Sequence, residues 1–256
     1  IEPGDGYLAC GYVAKGRMEE PLQIVSVMNQ FFNNDAVSTD SSFSGKRALV
    51  TAGPTVEVID PVRYVTNRSS GKMGFAIAEA LREKGAEVTL VTGPTQLTDP
   101  KGINVIHVQS AEDMFNAVKE RYNAQDIIFK AAAVSDYTPS EVLDHKMKKR
   151  EGDLSVTFKR TTDILKYLGD NKKHQYLVGF AAETQNIEAY AQDKLARKNA
   201  DVIISNNVGD QSIGFSSDDN ELTMHFKNKD MVNIKKGKKV ELAKQILDEL
   251  ETRWQQ

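Results

Sequence analysis

The chain is poor in the residues that build the commoner chemical centres. Its 256 residues include one cysteine, Cys10, so nothing points to a disulfide-bearing compartment. The four histidines (His107, His145, His174, His225) are scattered, and no Cys/His spacing suits zinc. No apolar run approaches the ~20 residues that a membrane helix needs. Basic excess is absent too: the net charge is -3, against a chain that binds nucleic acid. There is no G-x-S-x-G elbow, so a nucleophile triad is unsupported. No signal-peptide pattern is present, and a cytoplasmic location is the expectation. The first residue is Ile1, which suggests a processed chain or a piece of something longer.

What is present is a core-sized share of apolar residues, 40%, arranged in an alternating rhythm. Arg47–Ala52 reads as a strand and Phe75–Lys84 as a helix, with Gly85 as its C′ residue. Glu87–Thr92 and Asn104–Val108 are further strands. Ser110 can cap a helix over Ala111–Tyr122, whose Met114, Val118 and Tyr122 share a face. Asp126–Phe129 opens a fourth strand, running into Ala131–Val134. Tyr176–Phe180 is a strand, Asn186–Asn199 a helix and Asp201–Ser205 a strand. Leu222–Phe226 and Met231–Ile234 form a hairpin turned at Asn228-Lys229-Asp230, and Val240–Trp254 closes the chain as an amphipathic helix. The pattern predicts an α/β fold, a Rossmann-like, mostly parallel sheet with helices on both faces. Residues 1–44 look foreign to it: a helical appendage over Pro21–Phe32, then a polar linker over Asn33–Ser44. The domain boundary falls near Ser44.

Four stretches have the composition of a binding site. Asn67-Arg68-Ser69-Ser70-Gly71-Lys72-Met73-Gly74 leads straight into a helix, where small residues leave N–H groups approachable and the helix dipole favours an anion. It lacks the first glycine and the final Ser/Thr of a P-loop, and the tight turn of a dinucleotide fingerprint. A serine-capped helix after a surface loop is the plainer reading. Ala131-Ala132-Ala133-Val134-Ser135-Asp136-Tyr137 ends a strand with small residues that admit a ring or sugar. Asp136 there can bind a ribose hydroxyl or a metal-bound phosphate, or simply hold a turn. The polar segment Ser135–Asp153 carries Lys146-Met147-Lys148-Lys149, which can close over a polyphosphate or remain a solvated charge run. Gly179–Thr184 again allows close approach, with Phe180 able to stack on a base. Lys194 and Lys198 share a helix face that is either anion-binding or merely basic.

Together with Thr51–Thr55 and Asp60-Pro61-Val62-Arg63-Tyr64, these motifs resemble the bacterial CTP-dependent phosphopantothenate–cysteine ligase family, over roughly Gly45 to Trp254. The resemblance implies a ligase domain over 45–256 that activates 4′-phosphopantothenate with CTP. An acyl-cytidylate then yields to L-cysteine, releasing CMP. It implies catalytic roles for Asn67 and Lys146. Asn67 would carry the acyl-cytidylate onward, its amide donating to the reacting carbonyl. Lys146, on a flap, would act on the CTP phosphates. Nucleotide contacts follow for Lys130, Ala131, Ala132, Asp136, Thr162, Asp163, Ile164, Leu165, Phe180, Lys194 and Lys198, with Ser69, Ser70 and Gly71 at the helix mouth. Thr162 stands where the family has proline. Mg2+ is implied by polyphosphate chemistry, with its ligands unassigned, and a homodimer by the family's habit.

Gly6–Gly11 and Gly16-Arg17-Met18 resemble the tail of phosphopantothenoylcysteine decarboxylase, a flavoprotein fused ahead of the ligase in many bacteria. Residues 1–44 would then be its C-terminal remnant plus linker. FMN and decarboxylation are not expected here, and Cys10 is expected to be inert or exposed. The competing readings are an NAD(P)-dependent oxidoreductase on the same sheet and a non-catalytic nucleotide-binding module.

Overall fold

A computed structural model describes residues 4–7, 12–25, 28, 41–149, 151–183, 187–207 and 219–254. Two strands come first, β1 (Gly4–Tyr7) and β2 (Val13–Arg17), paired antiparallel. Residues 21–25 are helical, as the sequence suggests. Cys10, Thr184 and residues 29–40 lie outside the described residues.

In chain order the remainder is β3 (Arg47–Ala52), β4 (Val56–Val58), β5 (Tyr64–Thr66), α1 (Lys72–Glu83), β6 (Glu87–Thr92), β7 (Asn104–His107), α2 (Ala111–Arg121) and β8 (Ile127–Lys130). Then come β9 (Tyr137–Pro139), β10 (Phe158–Arg160), α3 (Ile164–Asn171), β11 (Tyr176–Glu183), α4 (Ile187–Lys198), β12 (Val202–Asn207), β13 (Asp219–Phe226), β14 (Met231–Lys238) and α5 (Lys239–Trp254). Eight strands form one sheet in the order β14-β13-β12-β11-β8-β3-β6-β7. The strands from β12 to β7 are parallel, and the β13–β14 hairpin adds antiparallel pairs at one edge. Numbered by chain order, the parallel strands run 3-2-1-4-5-6, the order of doubly wound dinucleotide-binding sheets.

Alternation along the strands explains the two layers. Ala48, Val50, Ile127, Phe129, Val178 and Ile204 face α1 and α5, with Ile77, Leu81, Ile246 and Leu250 against them. Leu49, Ile128, Leu177 and Ile203 face α2, α3 and α4, meeting Met114, Val118, Leu168 and Leu195. Each such fully buried side chain contributes roughly 1.5–3 kcal/mol of transfer free energy. The core also takes in Phe43, fully buried and 5.1 Å from the Trp254 ring, just ahead of the boundary expected near Ser44.

Local chemistry sets the ends. Ser110 caps α2 in a reciprocal box with Asp113, as expected. Gly85 (φ 88°) ends α1, and its neighbour Ala86 donates to Leu81 O at 3.0 Å. Three details differ from the sequence reading. α1 starts at Lys72, not Phe75, because Gly71 takes the left-handed φ of 77° that lets the chain turn into the helix. β8 stops at Lys130, and Ala131–Val134 leaves the ladder except for a bridge from Ala133 to Pro54. The small antiparallel pairs β4–β5 and β9–β10 have no counterpart in the periodicity, since three-residue strands show no period, and α3 begins inside the stretch that the sequence reads as a nucleotide motif.

Candidate active site

β3 and β8 are neighbours whose connections lead to opposite sides, so a crevice opens at their carboxyl ends. The two ends are laced together. Ala133 N donates to Gly53 O at 2.9 Å, and Thr55 N to Ala133 O at 3.3 Å. Ser135 N donates to Thr55 Oγ1 at 3.0 Å, and Ala132 N to Thr51 Oγ1 at 3.2 Å. Asn67 joins this lacing from the β5–α1 loop: its Nδ2 donates to Ala133 O at 3.3 Å and to Val134 O at 3.1 Å. Both amide protons are thus in use, and Oδ1 has no partner among the described residues. Donation to a reacting carbonyl, the role implied by resemblance, requires those two bonds to be exchanged.

On the α1 side the crevice opens into a small cleft. Ser69, Ser70, Gly71, Ala131 and Phe180 line it together, as the sequence reading grouped them. Gly71, the N-cap of α1, makes no side-chain cap bond, and the positive end of the helix dipole faces the cleft. Gly74 brings that turn onto β3: a Cβ there would sit 2.6 Å from the Ala52 Cβ. Asn206, Asn220 and Lys239, the first residue of α5, complete the wall. Sequence reading missed these three. They sit in strands and a helix start with no motif, and only the sheet order carries them here.

On the α3–α4 side, Lys130 leads a second group. Its half-buried ammonium donates to Ala132 O at 2.9 Å and lies within the field of Lys194, Asp163 and Asp136. Burial pushes Lys130 down to about 8, Lys194 adds to the fall, and the two carboxylates only partly offset it. Asp163 caps α3, accepting from Lys166 N at 2.9 Å, and pairs with the Lys198 ammonium. Burial works against its charge, but Lys198, the Lys166 N–H and Lys130 hold the carboxyl below its usual value. Ile164 and Leu165 are 2% and 5% exposed and belong to the core, so only their backbone can meet a ligand. Thr162 and Asp136 are exposed.

Lys146 stands apart from both groups. It is exposed, on the long excursion between β9 and β10, and among the described residues it makes no hydrogen bond or ion pair. Among the described residues no cluster of three or more His, Cys, Asp or Glu can hold a metal ion. No helix there is long and apolar enough to cross a membrane.

Residues 43–253 match the family model described as "DNA/pantothenate metabolism flavoprotein C-terminal domain". The chain belongs to this family. It is 51% identical over 251 residues to the coenzyme A biosynthesis bifunctional protein CoaBC of Bacillus subtilis, covering 98% of this chain and 61% of that protein. It is 44% identical over 256 residues to the Haemophilus influenzae protein of the same name, covering 100% of this chain and 62% of the relative. The chain thus spans about three-fifths of the length of the curated relatives it matches. A crystal structure of the C-terminal domain of CoaBC shares the fold with a TM-score of 0.72 and 44% identity, over 83% of this chain and 97% of that one. The run from Asn67 to Gly74 matches neither phosphate-loop pattern because an antiparallel pair, β4–β5, is inserted between β3 and α1.

Proposed function

We propose that this chain is a phosphopantothenate–cysteine ligase domain, joining 4′-phosphopantothenate to L-cysteine with CTP on the route to coenzyme A. The names of the full-length relatives and the family match support that pathway. The observation that carries the nucleotide is the Lys130 group. Lysines 130, 194 and 198 gather at the switch point against the carboxylates of Asp163 and Asp136, and Lys130 is depressed by burial first and by Lys194 second. A polyphosphate would bring them further negative charge.

In the activating step the substrate carboxylate attacks the α-phosphorus of CTP. The bond to the bridging oxygen breaks, and pyrophosphate leaves with the charge that Lys130, Lys194 and Lys146 would neutralise. The first turn of α1, with Ser69, Ser70 and Gly71, would take a phosphate group at its N–H donors. Ala131, Ala132 and the backbone of 162–165 would frame the nucleotide, with Phe180 against the base. In the second step the cysteine amine attacks the acyl carbon, CMP leaves, and the amine gives up a proton. Asn67 sits at the edge of the crevice, with Oδ1 open to an amine and its NH2 exchangeable toward the acyl oxygen. Mg2+ would travel with the triphosphate, as a hard cation that keeps its waters and needs one carboxylate. Asp136 fits that part, because its carboxylate makes no hydrogen bond among the described residues.

A homodimer is favoured by a run of exposed apolar side chains on the two small hairpins and the excursion: Val62, Tyr64, Tyr137, Val142 and Phe158. Residues 1–44 would be the remnant of an upstream decarboxylase and its linker, and 45–256 the ligase domain, working without FMN in the cytoplasm. The experiment is direct. Protein, Mg2+, CTP, 4′-phosphopantothenate and L-cysteine should give phosphopantothenoylcysteine and one pyrophosphate per product. No pyrophosphate with CTP or with ATP in its place would end the ligase reading. Hydride transfer to NAD(P)+ would support the dehydrogenase instead.

A further inference from the structure

The Asp60-Pro61-Val62-Arg63-Tyr64 motif lines neither side of the crevice, yet Asp60 is a carboxylate only 1% exposed. A buried charge is costly unless its bonds are made. Asp60 Oδ1 accepts from the N–H groups of Val62 and Arg63, both at 2.8 Å, which closes the turn. Oδ2 accepts from the Arg63 guanidinium at 2.6 Å and from Met147 N at 3.1 Å. The same guanidinium donates to Met147 O through both terminal nitrogens, at 3.4 and 3.3 Å. A second tie lies four residues back, where Leu143 N donates to Ile59 O at 3.0 Å. The neighbouring Lys146, Lys148 and Lys149 are exposed. Met147 therefore has its N–H and its carbonyl both fixed to the body, in the middle of the lysine run. Burial by itself would raise the Asp60 carboxyl, but the N–H donors of Val62, Met147 and Arg63 and the Arg63 guanidinium hold it down to about 2. It is an anion throughout the working range.

We infer that Asp60 is a positioning residue: acting through Arg63 and the Met147 amide, it fixes the backbone beside Lys146, so that the ammonium meets the nucleotide phosphates from a held chain. The inference rests on the ligase reading of Lys146; Asp60 itself touches no substrate. Its physical basis is pre-paid order. A lysine on a loose excursion must lose chain entropy at each turnover, whereas a tied one has only its side chain to settle.

Asp60→Asn separates this role from closing the turn. The amide keeps Oδ1 for Val62 and Arg63, but puts an NH2 where Arg63 and Met147 already donate. Trypsin reads the tie without any activity, since Lys146, Lys148, Lys149 and Arg150 are its sites. Cleavage there should run about tenfold faster in Asp60→Asn, the size of effect expected for losing one or two charge-assisted bonds. Pyrophosphate release should fall about tenfold or more, and Asp60→Asn with Lys146→Gln should be no slower than Lys146→Gln alone. Unchanged cleavage, or additive losses in the double variant, would overturn the inference. Normal turnover by Lys146→Gln would instead remove the lysine's role, a failure that the trypsin arm does not share and so tells apart. If Asp60→Asn loses its cooperative melt, Met147→Pro takes its place, because it deletes the donated N–H from the excursion and leaves the buried turn intact; trypsin does not cut a Lys–Pro bond, so faster cleavage is then read after Lys148 and Lys149.

Discussion

Lys130 is penalised for its charge until a polyanion arrives. Its native value of about 8 lies below the 10.5 of an unperturbed lysine. Below pH 8 both folded and unfolded chains hold the proton, and the full cost of burying the charge is present. Between pH 8 and 10.5 the unfolded chain binds more protons, so stability contributed by this site rises with pH. Lys130→Met should therefore raise the melting temperature at pH 7, with the gain fading as pH climbs through that window. The same substitution should weaken CTP binding about tenfold or more, a trade of function for stability. Melts and CTP titrations across pH 7–10.5 check both, and a destabilised, CTP-binding variant would contradict them. Asn67 makes a different demand. Asn67→Asp replaces a two-proton donor by an anion facing the carbonyls of Ala133 and Val134. Activation should persist while transfer stalls, so acyl-cytidylate should accumulate in quenched reactions analysed by mass spectrometry. Full transfer to cysteine would refute that role.

Among the elements, α3 and α4 meet through Gly169, where a Cβ would collide with the carbonyl of Lys198. Gly169→Ala should push the helices apart, costing roughly 1–3 kcal/mol in denaturant melts, and should loosen the Asp163–Lys198 pair with them. An unchanged midpoint would show that the pair is not held by this contact. How far elements were legible beforehand follows from their length and partners. β3, β6, β7, α2 and α5 repeat their apolar residues often enough to show a period, and Ser110 announces its helix chemically. α3 has a signal too, Asp163 as cap and Ile164, Leu165 and Leu168 on one face, but the same residues read equally as a ligand motif. β4–β5 and β9–β10 are too short for any period. The hold of Asp60 on Met147 joins residues 87 positions apart, which no local pattern encodes. Likewise Asn206, Asn220 and Lys239 reach the cleft only through the sheet order, while the small-residue runs at 69–74 and 131–133 could be read directly as places of close approach.

For the molecule as a whole, the 3-2-1-4-5-6 order puts one crevice at one end of the sheet, and the Lys130 group and the mouth of α1 open around it. The exposed apolar residues of the small hairpins predict self-association: light scattering should give twice the chain mass, and Tyr64→Asp with Phe158→Asp should return it to the monomer. A monomeric wild-type chain would leave that surface without its partner. The central claim, that the crevice activates a carboxylate with CTP before cysteine enters, is tested by a rapid-quench measurement. Enzyme, Mg2+, CTP and 4′-phosphopantothenate are mixed with cysteine withheld. A burst of about one pyrophosphate per active site, matched by acyl-cytidylate, is the predicted result. Pyrophosphate that appears only when cysteine is added would contradict it.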